Sequence, residues 1–184
     1  MATIVSHAIV AITLGKAANR ERRVIVWGAL LALLPDIDVL GFPLGVPYLH
    51  WLGHRGFTHS LFFALCVAVA TMGIVFRDVP RWSRAWWVAF AFLLACAASH
   101  GVLDAMTNGG AGIAFFSPFS NERYFLPWTP LEVSPIGRNF FSEDGVDTLL
   151  SEVKWLWLPC AAVWLSATLL KLYRRTAKAQ RRRE

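Results

Sequence analysis

His54 and His59 frame the segment His54-Arg55-Gly56-Phe57-Thr58-His59-Ser60, and an apolar run begins directly after it. Imidazole and carboxylate are the side chains that hold zinc, manganese or iron. A second pair, His100 and Asp104, is spaced i, i+4, so on a helix both groups share one face. That pair can hold one ion or form a helix-end hydrogen bond. Asp36 and Asp38 follow Pro35 and offer two more carboxylates at the exit of an apolar segment, as ligands or as caps of a polar turn. His7 is a further candidate, as a ligand or as a packed helix residue bonded to a neighbour. Arg55 is the basic residue beside His54; it can bind a phosphate or an anionic transition state, reach for headgroups, or pair with an acid. His50, next to Trp51, reads as interfacial. Glu122 and Glu132 are weaker candidates for an extra ligand.

These groups need elements to carry them. The chain has 184 residues, of which 56% are hydrophobic and 16% charged. Soluble domains average about 25% charged residues. With a mean hydropathy of +0.47 and nine tryptophans, the surplus apolar surface calls for lipid. Residues 2–15 and 24–34 are short apolar segments joined by a basic loop, 16–23. Residues 39–53, rich in Gly and Pro, read as an interfacial loop. Residues 60–76, 85–106 and 153–173 read as membrane helices, with a basic turn at 77–84. Cys66, Cys96 and Cys160 lie in these runs without close-pair spacing, and are expected to be buried, inert thiols. The expected architecture is an all-α, polytopic helical membrane protein with four or five membrane segments. Residues 1–173 form one membrane domain, with residues 107–152 as an irregular external loop and 174–184 as a basic cytoplasmic tail.

Charge orients these segments. If residues 16–23, 77–84 and 171–183 share the cytoplasmic side, 14 of the 18 Lys and Arg residues lie inside. Nine of the 12 acids then fall near the opposite face. The same alternation brings Asp36, Asp38, His54, His59, His100 and Asp104 to the non-cytoplasmic end before any metal is invoked. At 1.5 Å per residue His7 stands about 13 Å from the inner loop, and Asp36 rises similarly from Arg23. The apolar composition argues against a nucleic-acid binder. The basic segments suit anionic lipid.

Ser6-His7, Leu34-Pro35-Asp36-Ile37-Asp38, the His54–Ser60 segment, His100-Gly101-Val102-Leu103-Asp104-Ala105-Met106-Thr107 and Ser117-Pro118-Phe119-Ser120 occur in that order. Together they resemble the bacterial membrane-bound, metal-dependent hydrolases, also described as LexA-binding, inner-membrane-associated hydrolases. The resemblance implies an inner-membrane protein and a hydrolase, grouped distantly with zinc-dependent phospholipase C and P1 nuclease. It points to His7, Asp36, Asp38, His54, His59, His100 and Asp104 as metal ligands. An H-x-x-x-E pair of those relatives is absent, so one or two ions are expected, zinc first among them. The expected activity is metal-assisted hydrolysis of a phosphoester in a lipid or membrane-associated substrate. Asp38 would serve as general base and Arg55 as phosphate contact. The alternatives are a structural metal site in a non-enzymatic membrane protein, and a membrane transferase.

Overall fold

In a bilayer, backbone groups must bond within their own segment, and the apolar runs accordingly fold as helices. The computed structural model describes residues 1–180. Its helices are α1 (Ile4–Ala17), α2 (Arg22–Leu33) prolonged by a 3-10 helix (Leu34–Gly41), α3 (Leu61–Ile74), α4 (Arg84–Ala105), α5 (Glu143–Glu152) and α6 (Leu158–Gln180). Short 3-10 turns occupy Phe57–His59 and Gly137–Phe141, and a π-helical turn, Val153–Trp157, joins α5 to α6. β pairing among the described residues is limited to two isolated bridges, Thr107 with Leu131 and Ile113 with Tyr124. Three helical stretches are long and apolar enough to cross a membrane, Arg22–Gly41, Arg84–Ala105 and Glu143–Arg174; Ile4–Ala17 and Leu61–Ile74 are apolar but shorter. The architecture is that of a helical membrane protein.

Local chemistry explains where the helices differ from expectation. Pro35 cannot donate to an α-helical ladder, and the chain tightens to 3-10 geometry instead of ending. The second segment therefore extends through Gly41, into what the sequence marks as loop. Ser60 caps α3, its hydroxyl accepting from Phe63 N at 3.0 Å. His59 thus lies in the 3-10 turn before the helix. Residues 143–152, expected as the end of an irregular loop, form α5. Glu143 and Asp144 occupy its first turn, where the helix dipole favours acids.

α1 packs on α2 and α6, while α2 and α3 pack on α4. Gly15 permits the first contact, since a Cβ there would lie 2.6 Å from Ile25 Cγ1. The largest core cluster, including Val24, Leu31, Ala68, Met72 and Leu93, fills the space between α2, α3 and α4. Cys96 is buried and Cys160 half-buried, as expected of inert thiols, but Cys66 is exposed on α3; all are free.

The basic segments meet at one end of the bundle. Lys171 Nζ donates to the Lys16 carbonyl at 3.2 Å, and Arg23 pairs with Asp78 at 2.7 Å while also reaching the Val75 carbonyl. The expected basic tail is helical through Gln180; residues 181–184 lie outside the described residues.

Candidate metal centre

At the opposite end the candidate residues converge. Gly101 makes the key approach possible: a Cβ there would stand 2.7 Å from the His59 carbonyl oxygen. With no side chain at 101, α4 closes on the Phe57–His59 turn. His100 Nε2 then comes within 3.0 Å of His59 Nε2. Asp36, at the start of the 3-10 extension, places Oδ1 3.3 Å from His100 Nε2 and 3.7 Å from His59 Nε2. Asp104, one turn beyond His100, places Oδ2 3.5 Å from His59 Nε2 and 3.9 Å from His100 Nε2. The four ligand atoms all lie within 4.8 Å of one another. His7 joins from α1, with Nε2 3.4 Å from Asp104 Oδ1 and its ring stacked on His100 at 3.8 Å between centroids.

The histidine orientations have visible causes. His100 Nδ1 lies 2.7 Å from the Ala32 carbonyl, which can only accept, so Nδ1 carries hydrogen and Nε2 faces inward. His59 Nδ1 lies 3.1 Å from Asp38 Oδ2. This carboxylate–imidazole arrangement fixes a ring whose other nitrogen ligates a metal. Asp38 also accepts from His54 Nδ1 at 2.6 Å, Arg55 N at 3.1 Å and Thr58 Oγ1 at 2.7 Å. Asp38, His54 and His59 form a second group of potential ligands within 4.8 Å, sharing His59 with the first. Asp38 is saturated with donors, and His54 sits behind it against the rings of Phe42 and Tyr48.

Of the roles the sequence leaves open for Arg55, the structure shows pairing with an acid. Its side chain is fully buried and does not line the adjoining cavity, so no aqueous pocket surrounds it. Nη1 donates to the Gly109 carbonyl at 2.8 Å and Nη2 to Thr107 Oγ1 at 2.9 Å, while Nε stands 3.6 Å from Asp104 Oδ2. Its backbone is left-handed, φ 65°, which lets the segment turn back toward Asp38. Gly110, φ +88°, completes the fit, because a Cβ there would lie 2.5 Å from Nη1.

Several supporting residues were not singled out by sequence. Glu152 is fully buried and accepts from Thr3 Oγ1 at 2.6 Å, Ser6 Oγ at 2.8 Å and the Thr3 amide. Trp157 Nε1 donates to the same Ser6 hydroxyl at 2.7 Å. The start of α1 is thereby fixed one residue before His7. A lone acid at the edge of a long apolar run was the available signal. Arg123, from the long connection, donates to the carbonyls of His54 and Tyr48 and ties that connection over the site. Glu122 and Glu132 are exposed and bond Tyr124 and Asn108, away from the cluster. His50 is exposed as well.

The donor set fits a cation. The close Nε2–Nε2 contact needs a proton or a metal between the two nitrogens. A proton on His59 serves that contact, with Asp36 Oδ1 at 3.7 Å and Asp104 Oδ2 at 3.5 Å too far for good hydrogen bonds. It leaves both nitrogens of His7, both oxygens of Asp36 and Asp104 Oδ2, all buried and without hydrogen-bond partners. Buried polar atoms in such a state are costly. With histidines neutral, Asp36, Asp38 and Asp104 outweigh Arg55, leaving an excess negative charge that a dication would offset. His59, His100, Asp36 and Asp104 are the residues that would hold the ion, with His7 in reach.

An open cavity of about 860 Å³ adjoins the cluster, and Asp36 is one of its walls. The rest is supplied by α1, the end of α2 with its 3-10 extension, and residues 134–141.

Comparison with known proteins agrees with the membrane fold. Residues 1–177 match the family described as YdjM inner membrane protein. The inner membrane protein YbcI of Escherichia coli (strain K12) is 38% identical over 164 residues, covering 86% of this chain and 92% of YbcI. No solved structure matches the chain. On sequence extent and on identity alike, the chain belongs to the YdjM family of inner membrane proteins.

Proposed function

We propose that the protein is a membrane-embedded, metal-dependent hydrolase acting on a phosphoester of a lipid or other membrane-delivered substrate. The observation that carries this reading is the meeting of His59, His100, Asp36 and Asp104, with unpartnered ligand atoms, beside an open cavity. A structural site is closed by protein ligands, whereas a catalytic one keeps a position open. The cavity wall at Asp36 supports the second case. A divalent ion held there, zinc by the donor set and the resemblance, would polarise a phosphoryl oxygen and lower the pKa of a water.

The chain's own residues supply the rest. Asp38 holds the His59 ring so that Nε2 faces the cluster; its four donors favour this positioning role over that of general base. Asp36 combines unpartnered oxygens, which would serve the ion, with a place on the cavity wall, and so would set the ion at the edge of the cavity. Arg55 offsets the charge of Asp104 from behind, with Nε 3.6 Å from Oδ2. Thr107 and Gly109 hold the guanidinium in place.

The basic end is assigned to the cytoplasm and the cluster to the periplasmic face, with lipid as the constant partner. A reporter fused to the C-terminal tail should report cytoplasm; a periplasmic signal overturns the orientation. For the activity, purified protein should hydrolyse bis(p-nitrophenyl) phosphate, lose that activity with a chelator and regain it with zinc. Inactive protein with a full metal complement would favour a structural site. Acyl or phosphoryl transfer to an acceptor other than water would instead show a transferase.

A further inference from the structure

We propose that the 860 Å³ cavity beside the cluster seats one acyl chain of a membrane phospholipid. The inference deepens the hydrolase reading, and rests on it for what then happens to the lipid. The volume falls in the range of about 300–1,000 Å³ that small-molecule sites occupy. Its lining is almost wholly apolar: Val5 of α1, Leu30 of α2, Ile37 and Leu40 of the 3-10 extension, and Ile136 and Phe141 of the arm at residues 134–141. These side chains are largely open, Val5 and Ile37 at 52% and Phe141 at 89% exposure. No described segment of the chain covers them. Asp36 is the one ionisable side chain on the wall, and no Lys or Arg lines the cavity. Thr3 and Ser134 add hydroxyls to the wall, and the apolar remainder matches a hydrocarbon chain. The phosphoester would be left at the Asp36 side, where the cluster lies.

Position separates a lipid chain from a partner helix. The N-terminal members are Met1, Thr3 and the first two residues of α1, Ile4 and Val5, and the α2 members begin at Leu30, so the recess is confined to the cluster end of the bundle. A spanning helix needs a face of about 30 Å. Lipid also lies against the recess without prior capture, because the stretch Arg22–Gly41 that forms one wall is long and apolar enough to cross the membrane. The arm is tied to the start of α1 by Ser134 N donating to the Met1 carbonyl at 2.9 Å, which keeps the recess open as a concave site.

Photolabelling tests this without relying on catalysis. The protein is placed in nanodiscs of palmitoyl-oleoyl phosphatidylethanolamine and phosphatidylglycerol, doped with phosphatidylglycerol that carries a diazirine at one acyl terminus. Adducts are mapped by mass spectrometry. Leu30, Ile37 and Phe141 should be labelled well above Leu165 and Leu169, exposed residues of α6 that sample bulk lipid. Each buried methylene changes affinity about four-fold. The double variant Val5→Trp, Ile136→Trp, which fills the recess, should thus cut recess labelling roughly ten-fold and leave the α6 adducts unchanged. Recess labelling no higher than that of α6 in the wild-type protein, or undiminished in the filled variant, overturns the proposal. Hydrolysis of bis(p-nitrophenyl) phosphate by the same preparations scores the other reading separately. Hydrolysis without recess labelling contradicts the acyl-chain site alone. Recess labelling in zinc-loaded but inactive protein contradicts the hydrolase reading, and with it the fate assigned to the lipid.

Discussion

The two ends of the bundle handle charge in opposite ways. At the basic end, Arg23 and Asp78 pair at 2.7 Å with side chains 44% and 63% exposed. At the other end, Arg55 and Asp104 face each other with no exposure at all. Solvent and headgroups screen the first pair and can replace either partner. Nothing replaces a partner in the second. Charge at the basic end fixes no single atom's position, and many arrangements serve. Charge at the cluster end specifies positions of single atoms, and few substitutions serve.

Substitutions should separate the ends sharply. Asp104→Ala is expected to do the most harm. It removes the carboxylate facing Arg55, His59 and His7 and the acceptor of the Ala2 amide at 2.7 Å. Loss of one partner from a buried charged network typically costs about 3–5 kcal/mol. Thermal melts of the detergent-solubilised protein would show it, and an unchanged melt would mean that the cluster is not coupled to the fold. Asp38→Asn should do less. The ring of His59 stays in place, but its hydrogen-bond acceptor loses its charge, and metal affinity should fall by about 10–100-fold, read by competition with a chromophoric chelator.

A pH effect comes next. Burial opposes a charge on His59, yet Asp104, Asp36 and Asp38 outweigh burial and raise its pKa from 6.5 to about 10 in the metal-free chain. A raised pKa stabilises the fold fully below the unfolded value of 6.5, and that contribution fades as pH rises through about 10. The melting temperature of metal-free protein should fall across that window, and that of His59→Asn should not. Metal uptake displaces the proton, so affinity should increase with pH over the same window. The smallest effect is expected from Arg23→Ala, whose melt should be indistinguishable from that of the wild-type protein. A large loss there would erase the contrast between the two ends.

The sequence made some of this legible and hid the rest for physical reasons. Spacing of four residues placed His100 and Asp104 on one helical face, and charge alternation brought Asp36 and His59 toward the same end. Neither rule reports which imidazole nitrogen faces inward. That depends on Asp38 and the Ala32 carbonyl, which act from other segments. Arg55 looked accessible because basic side chains beside membrane segments usually reach for headgroups. Its burial follows from Thr107 and Gly109, some fifty residues away. Gly101 carries no chemistry of its own, and its role comes only from its closeness to the His59 carbonyl. The missed helix α5 is amphipathic but only 10 residues long, and its acids and Gly145 give it the low apolar content of the long connection before it.

The central claim is that His59, His100, Asp36 and Asp104 hold one divalent ion. Metal analysis of the purified protein, beside His59→Ala and His100→Ala variants of verified helical content, tests it most directly. The account predicts about one zinc-class ion per wild-type chain and almost none in either folded variant. Wild-type protein that stays metal-free after incubation with zinc, or variants that retain the full complement, would contradict it.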